Sequence, residues 1–497
     1  MTPRLLDALP VPGEAPVVLH RDEDLLVVDK PAGWLTHADG SGERPDVVGF
    51  FGEPLGVHQR LDVDTTGVLL FARSPAGDAL LRAAFAERRA EKRYLAVVEG
   101  APPASEGALT GEVEGRPAET RYRVQRLSPY GALVEARPVT GRRHQIRRHL
   151  AAAGCAIRGD ARYGDALDRR APRALLHCAA VTLPDGRRFE APTPPDFAHA
   201  QGLDPAAARA GLAADAETTA WRALDGEGDG WPGWTVDRYG DWLWVQQAAG
   251  AAAGPLPAAR GVYRLDAEKD RSHGGQAPPR LVAGEAAPAW LTVYEHGTPY
   301  RVQLGDQLST GLFLDQRPQR AWLARHAGGM RVLNTFAHAG GFSVAAAQAG
   351  ATTVSVDLSR VWLDRIPPQL AALGVDPAGH DRIYGDVFDW LRRLGKRGER
   401  FDLVILDPPS TSVGTRKRRW SAARDYPELV RLALPLVAPG GWLWTATNHR
   451  QLGAARFAHK VAEGGGGELL LWRVCPPAVD FPCRGPAPVK TLVWRRG

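Results

Sequence analysis

From Gly305 onward the chain alternates fully apolar runs with stretches of helical spacing, and few folds satisfy that rhythm. Residues 331–334 have the pattern of a buried strand, and 342–348 that of a helix. Residues 353–357 read as a strand, and 361–373 as a helix interrupted at Pro367-Pro368. The run 401–407 is the clearest strand of the chain, and 441–447, after a Pro-Gly-Gly turn, is the next. Strands alternating with helices predict a parallel sheet with right-handed crossovers. The rest of the chain reads differently. Residues 221–303 are strand-rich, with turns at 226–230, 239–241 and 274–275. The first two hundred residues mix strand candidates (17–19, 25–28, 68–72, 93–98) with a helix over 78–89 that puts Leu80, Leu81, Ala84 and Phe85 on one side.

A chain of 497 residues predicts two to four domains. The expected organisation is 1–204 as an α+β domain with a mostly antiparallel sheet, 205–219 as an Ala-rich linker, 220–303 as a small β-rich α+β domain, and 304–497 as an α/β, Rossmann-like domain. Hydrophobic residues are 44% and charged residues 24%, which excludes a disordered or fibrous chain. No apolar run reaches the ~18–20 residues of a membrane span, and the N-terminus lacks a secretory h-region. A cytoplasmic protein with no membrane partner is expected. Four scattered cysteines without a C-x-x-C pair suit neither a disulfide framework nor a zinc site, so no metal is expected. The net charge of +6 is compatible with a nucleic-acid partner.

Two segments of the first half carry chemistry. One is His58-Gln59-Arg60-Leu61-Asp62-Val63-Asp64-Thr65-Thr66-Gly67, where an acid and an arginine precede an apolar strand. The other is Thr140-Gly141-Arg142-Arg143-His144-Gln145-Ile146-Arg147-Arg148-His149, followed by Gly159-Asp160-Ala161-Arg162-Tyr163-Gly164. A helix starting near Arg143 carries Arg147 one turn on, and the clustered arginines attract phosphates. Together these segments resemble RluA-type pseudouridine synthases, whose motifs read H-R-L-D-x-x-T-S-G and G-R-x-H-Q-I-R-x-H … G-D-x-x-Y-G. Asp29-Lys30-Pro31-Ala32-Gly33, Lys92-Arg93-Tyr94 and the closing segment from Leu176-His177 to Phe197 match further blocks in order, so the resemblance spans about 15–200.

The resemblance implies that Asp62 is the essential aspartate, either attacking the ribose of a flipped uridine or removing a sugar proton. It implies that Arg60 displaces the target base, that Tyr94 lies against the uracil and that Arg147 pairs with Asp62. Arg142 and Arg143 are expected to touch RNA, and this half is expected to need no cofactor. Gln59 and Thr66 depart from the usual His and Ser.

In the second half, a methyl transfer from S-adenosylmethionine needs a Gly-rich first loop, an acid for the ribose and a polar residue for the adenine. The loop is 334–343, containing Phe336, Gly340 and Gly341; Asp357 is placed for the ribose and Asp386 for the adenine. Asp407-Pro408-Pro409-Ser410 follows the fourth strand, where an acceptor base belongs. This half resembles the RlmI/RlmK group of 23S ribosomal RNA methyltransferases over about 220–497, through Gly228–Gly240 and through Thr310-Gly311-Leu312-Phe313-Leu314-Asp315-Gln316-Arg317. The latter block implies cofactor contacts for Gln316 and Arg317. Carbon 5 of cytosine needs a cysteine to add at carbon 6. The strand that supplies it in the C5 members here reads Trp444-Thr445-Ala446-Thr447-Asn448-His449-Arg450 and has none. It resembles the RlmK type, which methylates guanine N7, an atom whose in-plane lone pair needs no covalent help. Cys475 and Cys483 keep a C5 alternative open. Arg416, Lys417, Arg418 and Arg419, before Trp420, form a cationic cluster expected to clamp RNA phosphate.

The sequence therefore predicts a bifunctional RNA-modifying enzyme acting on ribosomal RNA, most simply 23S. The alternatives are a methyltransferase whose first half only binds RNA, and an enzyme directed to transfer RNA.

Overall fold

The computed structural model describes residues 15–40, 44–128, 131–167, 171, 173–198, 205–267, 277–413, 419–449, 452–482 and 489–497. The chain divides into two compact units between residues 204 and 205.

The first unit is built on one long sheet. Its order is Val17–Arg21, Leu25–Lys30, Thr66–Ala72, Leu176–Thr182, Glu91–Val98, Gly131–Pro138, Arg116–Ser128, Glu106–Val113. Neighbours are antiparallel except Thr66–Ala72, which runs parallel to Leu176–Thr182. Thr66–Ala72 is buried along its whole length, which is why its sequence shows no polar alternation. At the start of this parallel pair, Gly67 has φ +111° and a Cβ there would lie 2.2 Å from the Cys178 carbonyl oxygen. Only glycine fits. Helix Pro75–Ala86 follows the strand, capped by Ser74 and started by a proline at its first position. Helix Gln145–Ala152 begins two residues later than its arginines suggest, because His144 takes left-handed backbone (φ +54°).

The second unit contains the strand-rich and the alternating regions. Five strands order as Ala220–Asp225, Trp234–Tyr239, Trp242–Ala248, Gly261–Ala267, Arg280–Gly284, and Leu291–Glu295 pairs with Thr298–Val302. The seven-stranded sheet orders as His380–Tyr384, Thr352–Asp357, Arg331–Thr335, Phe401–Leu406, Val437–Thr447, Lys490–Arg496, Leu469–Cys475. Its first five strands are parallel, and Lys490–Arg496 pairs antiparallel with both of its neighbours. The expected helix over 361–373 is two helices, Arg360–Leu363 and Ile366–Ala372. Pro367 and Pro368 sit in the first turn of the second, where their missing amides cost nothing.

The strand-rich region does not pack alone. Tyr239, Trp244, Tyr263, Leu291 and Tyr300 share an apolar core with Leu312, Val344 and Phe481. The segment expected as a linker begins with helix Pro205–Ala214. Arg209 ties that helix to the Asp229 carboxylate at 2.9 Å and to the Asp480 carbonyl at 3.3 Å. Alanine favours helix, and the arginine supplies anchors that composition does not reveal.

Candidate functional sites

In the first unit, a cleft of about 1460 Å³ is lined by Arg60, Asp62, Tyr94, Arg142, Arg143 and Arg147 among others. Asp62 lies in the loop before strand Thr66–Ala72, and Arg147 Nη1 donates to its Oδ2 at 2.8 Å. Arg147 also grips Asp160 with two bonds, Nε to Oδ2 at 2.7 Å and Nη2 to Oδ1 at 2.8 Å. One buried guanidinium thus bridges two carboxylates, and its fork is filled. Burial alone would raise Asp160, but Arg147 and the amides of Tyr163 and Arg162 outweigh it and hold the carboxyl below its usual range. His144 Nε2 stands 3.4 Å from the other Asp62 oxygen, and burial lowers the ring below the usual histidine range.

Tyr94 is buried on strand Glu91–Val98, and burial beside Cys178 raises its phenol well above the usual value. It is a neutral ring facing the cleft. Arg60 is exposed on the cleft wall. Gln59 is buried and its Oε1 has no partner among the described residues, so the replacement of the usual histidine leaves an open acceptor.

Behind Asp62 the loop is held by groups to which the sequence reading gave no role. Lys30 is fully buried and donates to the carbonyls of Pro31, Trp34 and Val63 at 3.0, 2.9 and 3.2 Å. Burial lowers its pKa to about 7. Arg173 donates to the Asp64 carbonyl and to Thr66, and pairs with Asp196.

The cations of this unit differ in their pairing. Arg21, Arg82, Arg123 and Arg187 are paired with carboxylates on the surface. Arg60, Arg88, Lys92, Arg142, Arg143 and Arg162 have no acidic partner among the described residues, and all of them line the cleft or a small pocket beside it. A concentration of uncompensated cations around a carboxylate and an aromatic ring suits a polyanion carrying a base.

In the second unit, the loop after Arg331–Thr335 brings Phe336, Gly340 and Gly341 to the end of the parallel sheet. Phe336 (φ +57°) and His338 (φ +48°) are both strained into left-handed backbone. Gly340 (φ +78°) caps helix Gly341–Gln348, and a Cβ on it would lie 2.7 Å from Ile366. Asp357 ends the neighbouring strand; its Oδ2 accepts from the His338 amide at 2.9 Å and its Oδ1 from the Ser359 amide at 2.8 Å. The His338 ring lies against Trp362 at 3.7 Å between centroids, and its Nδ1 is buried without a partner among the described residues. Burial, aided by Arg365, lowers that ring to about 4, so it is neutral. Asp386 caps helix Val387–Lys396 through the Phe388 amide at 2.9 Å.

Asp407 ends strand Phe401–Leu406. Burial and the neighbouring Asp315 push its carboxyl up to about 7 against Arg320 and the Gln316 amide, which donates at 3.4 Å. Pro408 and Pro409 extend the chain beyond it, and the Pro409 carbonyl accepts from the Trp420 indole at 2.8 Å. Ser410 donates to the Asn448 side chain, so the two segments compared with the N7 type meet. The Tyr426 hydroxyl shares its one proton between the Leu406 and Ala446 carbonyls at 3.0 and 2.9 Å, fixing the strand ends that present Asp407 and Asn448.

Several expected site residues have other partners or lie outside the described residues. Arg317, expected to contact the cofactor, is instead tied up within the protein. It is buried and spent on an ion pair with Asp480, 163 positions away in sequence, and on the carbonyl of Ala220 in the strand-rich region. Arg416, Lys417 and Arg418 lie outside the described residues, as does Cys483. Arg419 belongs to the short strand Arg419–Ser421, paired with Thr411–Val413. Among the described residues no cluster could hold a metal ion, and no helix is long and apolar enough to cross a membrane.

Comparison with known proteins agrees with this division. Residues 24–152 match the RNA pseudouridylate synthase family and 254–495 the S-adenosylmethionine-dependent methyltransferase family. The candidate ribosomal RNA large subunit methyltransferase YwbD of Bacillus subtilis is 38% identical over 264 residues, 51% of this chain and 66% of that protein. Ribosomal RNA large subunit methyltransferase I of Erwinia tasmaniensis is 37% identical over 237 residues, 45% of this chain and 60% of that protein. The chain thus spans somewhat under two thirds of the length of these relatives. The solved structure of SMU.776 complexed with SAH superposes with a TM-score of 0.53 at 26% identity, over 62% of this chain and 85% of that one. The chain therefore joins an RNA pseudouridylate synthase domain to an S-adenosylmethionine-dependent methyltransferase domain.

Proposed function

We propose that the chain is a bifunctional RNA-modifying enzyme that isomerises uridine to pseudouridine in its first unit and methylates a ribosomal RNA base, guanine N7, in its second. The observation that carries the first activity is the bridge from Arg147 to both Asp62 and Asp160. It orients the Asp62 carboxylate, as an attack on ribose or the removal of a sugar proton requires. The target nucleotide must leave its stack to reach that carboxylate. Arg60 at the cleft wall suits the displacement, and the neutral ring of Tyr94 suits contact with the uracil. The N1–C1′ bond then breaks, a C5–C1′ bond forms, and a proton moves from C5 to N1. No cofactor enters this balance.

In the second unit, Asp357 suits the ribose hydroxyls of S-adenosylmethionine and Asp386 its adenine. The orphaned His338 Nδ1 is an acceptor suited to an ammonium donor, and the turn at Gly340 leaves the loop backbone open to a ligand. When bound, the cofactor supplies an electrophilic methyl group. Asp407, Pro408, Pro409 and Ser410, with Asn448, would orient the acceptor base. The reading of guanine N7 rests on chemistry: strand Val437–Thr447 offers no cysteine, and Cys475 is buried in an apolar cluster with its thiol pushed up to about 12. N7 needs neither nucleophile nor base. Arg419, and with it Arg416 to Arg418, is proposed to hold RNA phosphate. The 23S RNA is the favoured substrate and the cytoplasm the favoured location.

The test is to incubate the protein with unmodified ribosomal RNA, with and without S-adenosylmethionine, and to quantify nucleosides by chromatography and mass spectrometry. Pseudouridine in both samples and 7-methylguanosine only with cofactor is the expected result. 5-Methylcytidine would overturn the N7 reading. Methylation without pseudouridine on any RNA would reduce the first unit to a binding module.

A further inference from the structure

Beside the cleft of the first unit opens a second, smaller pocket of about 220 Å³. The two share Phe85, Lys92, Pro138, Thr140, Gly141 and Arg142 in their walls, so they adjoin. Three cations line the small pocket, Arg88, Lys92 and Arg142, and no acidic residue does. None of the three has an acidic partner among the described residues. The Arg142 Nε is buried with no hydrogen-bond partner, which is costly unless a water or ligand meets it. A Cβ on Gly141 would meet only the Lys92 ammonium, at 3.7 Å, so the bare glycine leaves space around that charge.

The position of this pocket is informative. Lys92 and Tyr94 are two residues apart on strand Glu91–Val98, so they emerge on the same face about 6–7 Å apart. That is the reach from a base to the phosphate of its own or the adjoining nucleotide. We infer that the pocket of Arg88, Lys92 and Arg142 is a phosphate subsite that seizes one RNA backbone phosphodiester next to the nucleotide held at Tyr94 and Asp62. The inference rests on the reading of the cleft as an RNA site. Arginine forks suit two phosphate oxygens and the lysine adds a point charge. Burial holds the Lys92 ammonium below its usual value, a penalty that a neighbouring anion would relieve.

The experiment uses the full-length protein and an unmodified ribosomal RNA transcript. Affinity is measured from 50 to 300 mM KCl for the parent, for Arg88→Gln, for Lys92→Gln and for the control Arg116→Gln, an arginine outside both cavities that also has no acidic partner among the described residues. Loss of one phosphate contact should make the slope of log affinity against log salt shallower by about 0.7 in Arg88→Gln and Lys92→Gln. Arg116→Gln should leave it unchanged. In pseudouridine formation the two pocket variants should raise KM about 3- to 10-fold with kcat within twofold. Equal slope changes in all three variants would mean a diffuse field and overturn the subsite, as would unchanged slopes. Failure of the underlying reading looks different: the parent protein would form no pseudouridine on any RNA, whatever the slopes. Arg88 is exposed, so its variant reports on binding even if Lys92→Gln folds poorly.

Discussion

The two units each present one aspartate at the centre of a site, and their environments are opposite. Asp62 is met by a guanidinium at 2.8 Å, and that guanidinium is held in turn by Asp160. Among the described residues Asp407 has only the long Gln316 amide contact; it sits near Asp315 and is pushed up to about 7. The first environment pairs and orients a carboxylate that must react. The second penalises one, which is tolerable where the acceptor needs no base and the missing positive charge can come from a bound sulfonium. Two chemistries are thus separable by asking what each carboxylate loses when it is altered.

The largest effect tests that separation directly. Asp62→Ala should lower pseudouridine formation by roughly 10⁴-fold or more, by analogy with deletion of a reacting group elsewhere. Methyl transfer in the same preparation should stay within twofold, read by nucleoside mass spectrometry. Loss of both activities would mean that the units are not independent. Arg147→Met sharpens the point. It strands the fully buried Asp160, so a cost of about 3–5 kcal/mol is expected in calorimetric unfolding of the full chain, with pseudouridine formation lost. Arg147→Lys should recover little, because an ammonium cannot fork one carboxylate while reaching another. A stable, active Arg147→Met protein would refute the bridge as the basis of the first site.

How much of this contrast was legible in the sequence differs between the sites. The Asp62–Arg147 pair, 85 positions apart, was reached through motif resemblance, and the helix that carries Arg147 was visible in its spacing. Asp160 was visible as part of a motif but had no assigned task, because nothing in a single sequence says which arginine a buried acid will meet. Arg317 shows the same limit from the other side. It was assigned to a cofactor by its block, yet its buried partner Asp480 lies in a segment with no pattern of its own. The shared core of Tyr239, Trp244 and Val344 was also hidden, since a strand-rich stretch followed by an alternating one reads as two domains. Local periodicity reveals elements and their order; long-range ion pairs and shared cores depend on three-dimensional packing.

A smaller effect follows from the Asp407 environment. Its carboxyl ionises near 3.8 when unfolded and near 7 when folded. Between those values the unfolded chain holds fewer protons than the folded one, so stability falls as pH rises through that window and levels off above it. Asp407→Asn has no proton to lose. Relative to the parent it should gain of the order of 1–3 kcal/mol between pH 4 and pH 8, measured by chemical unfolding at each pH. A parent and variant whose pH profiles run parallel would mean that Asp407 is ionised as readily as an exposed acid, and the contrast with Asp62 would collapse.

The smallest effect bears on the acceptor atom. Cys475 lies on the antiparallel strand Leu469–Cys475 at the sheet edge, opposite Thr491, within an apolar cluster that includes Trp444 and Val493. A nucleophilic cysteine must reach carbon 6 of a pyrimidine as a thiolate, and burial pushes this thiol up to about 12. Cys475→Ala should therefore leave methyl transfer within twofold and cost about 1 kcal/mol of stability for the small cavity it opens. A loss of methylation by a hundredfold or more, in a variant that still forms pseudouridine at the parental rate, would show that the second site also depends on a reacting side chain. The carboxylate at Asp407 would then stand beside a covalent catalyst, and the distinction between a unit that reacts with its substrate and one that only positions it would fail.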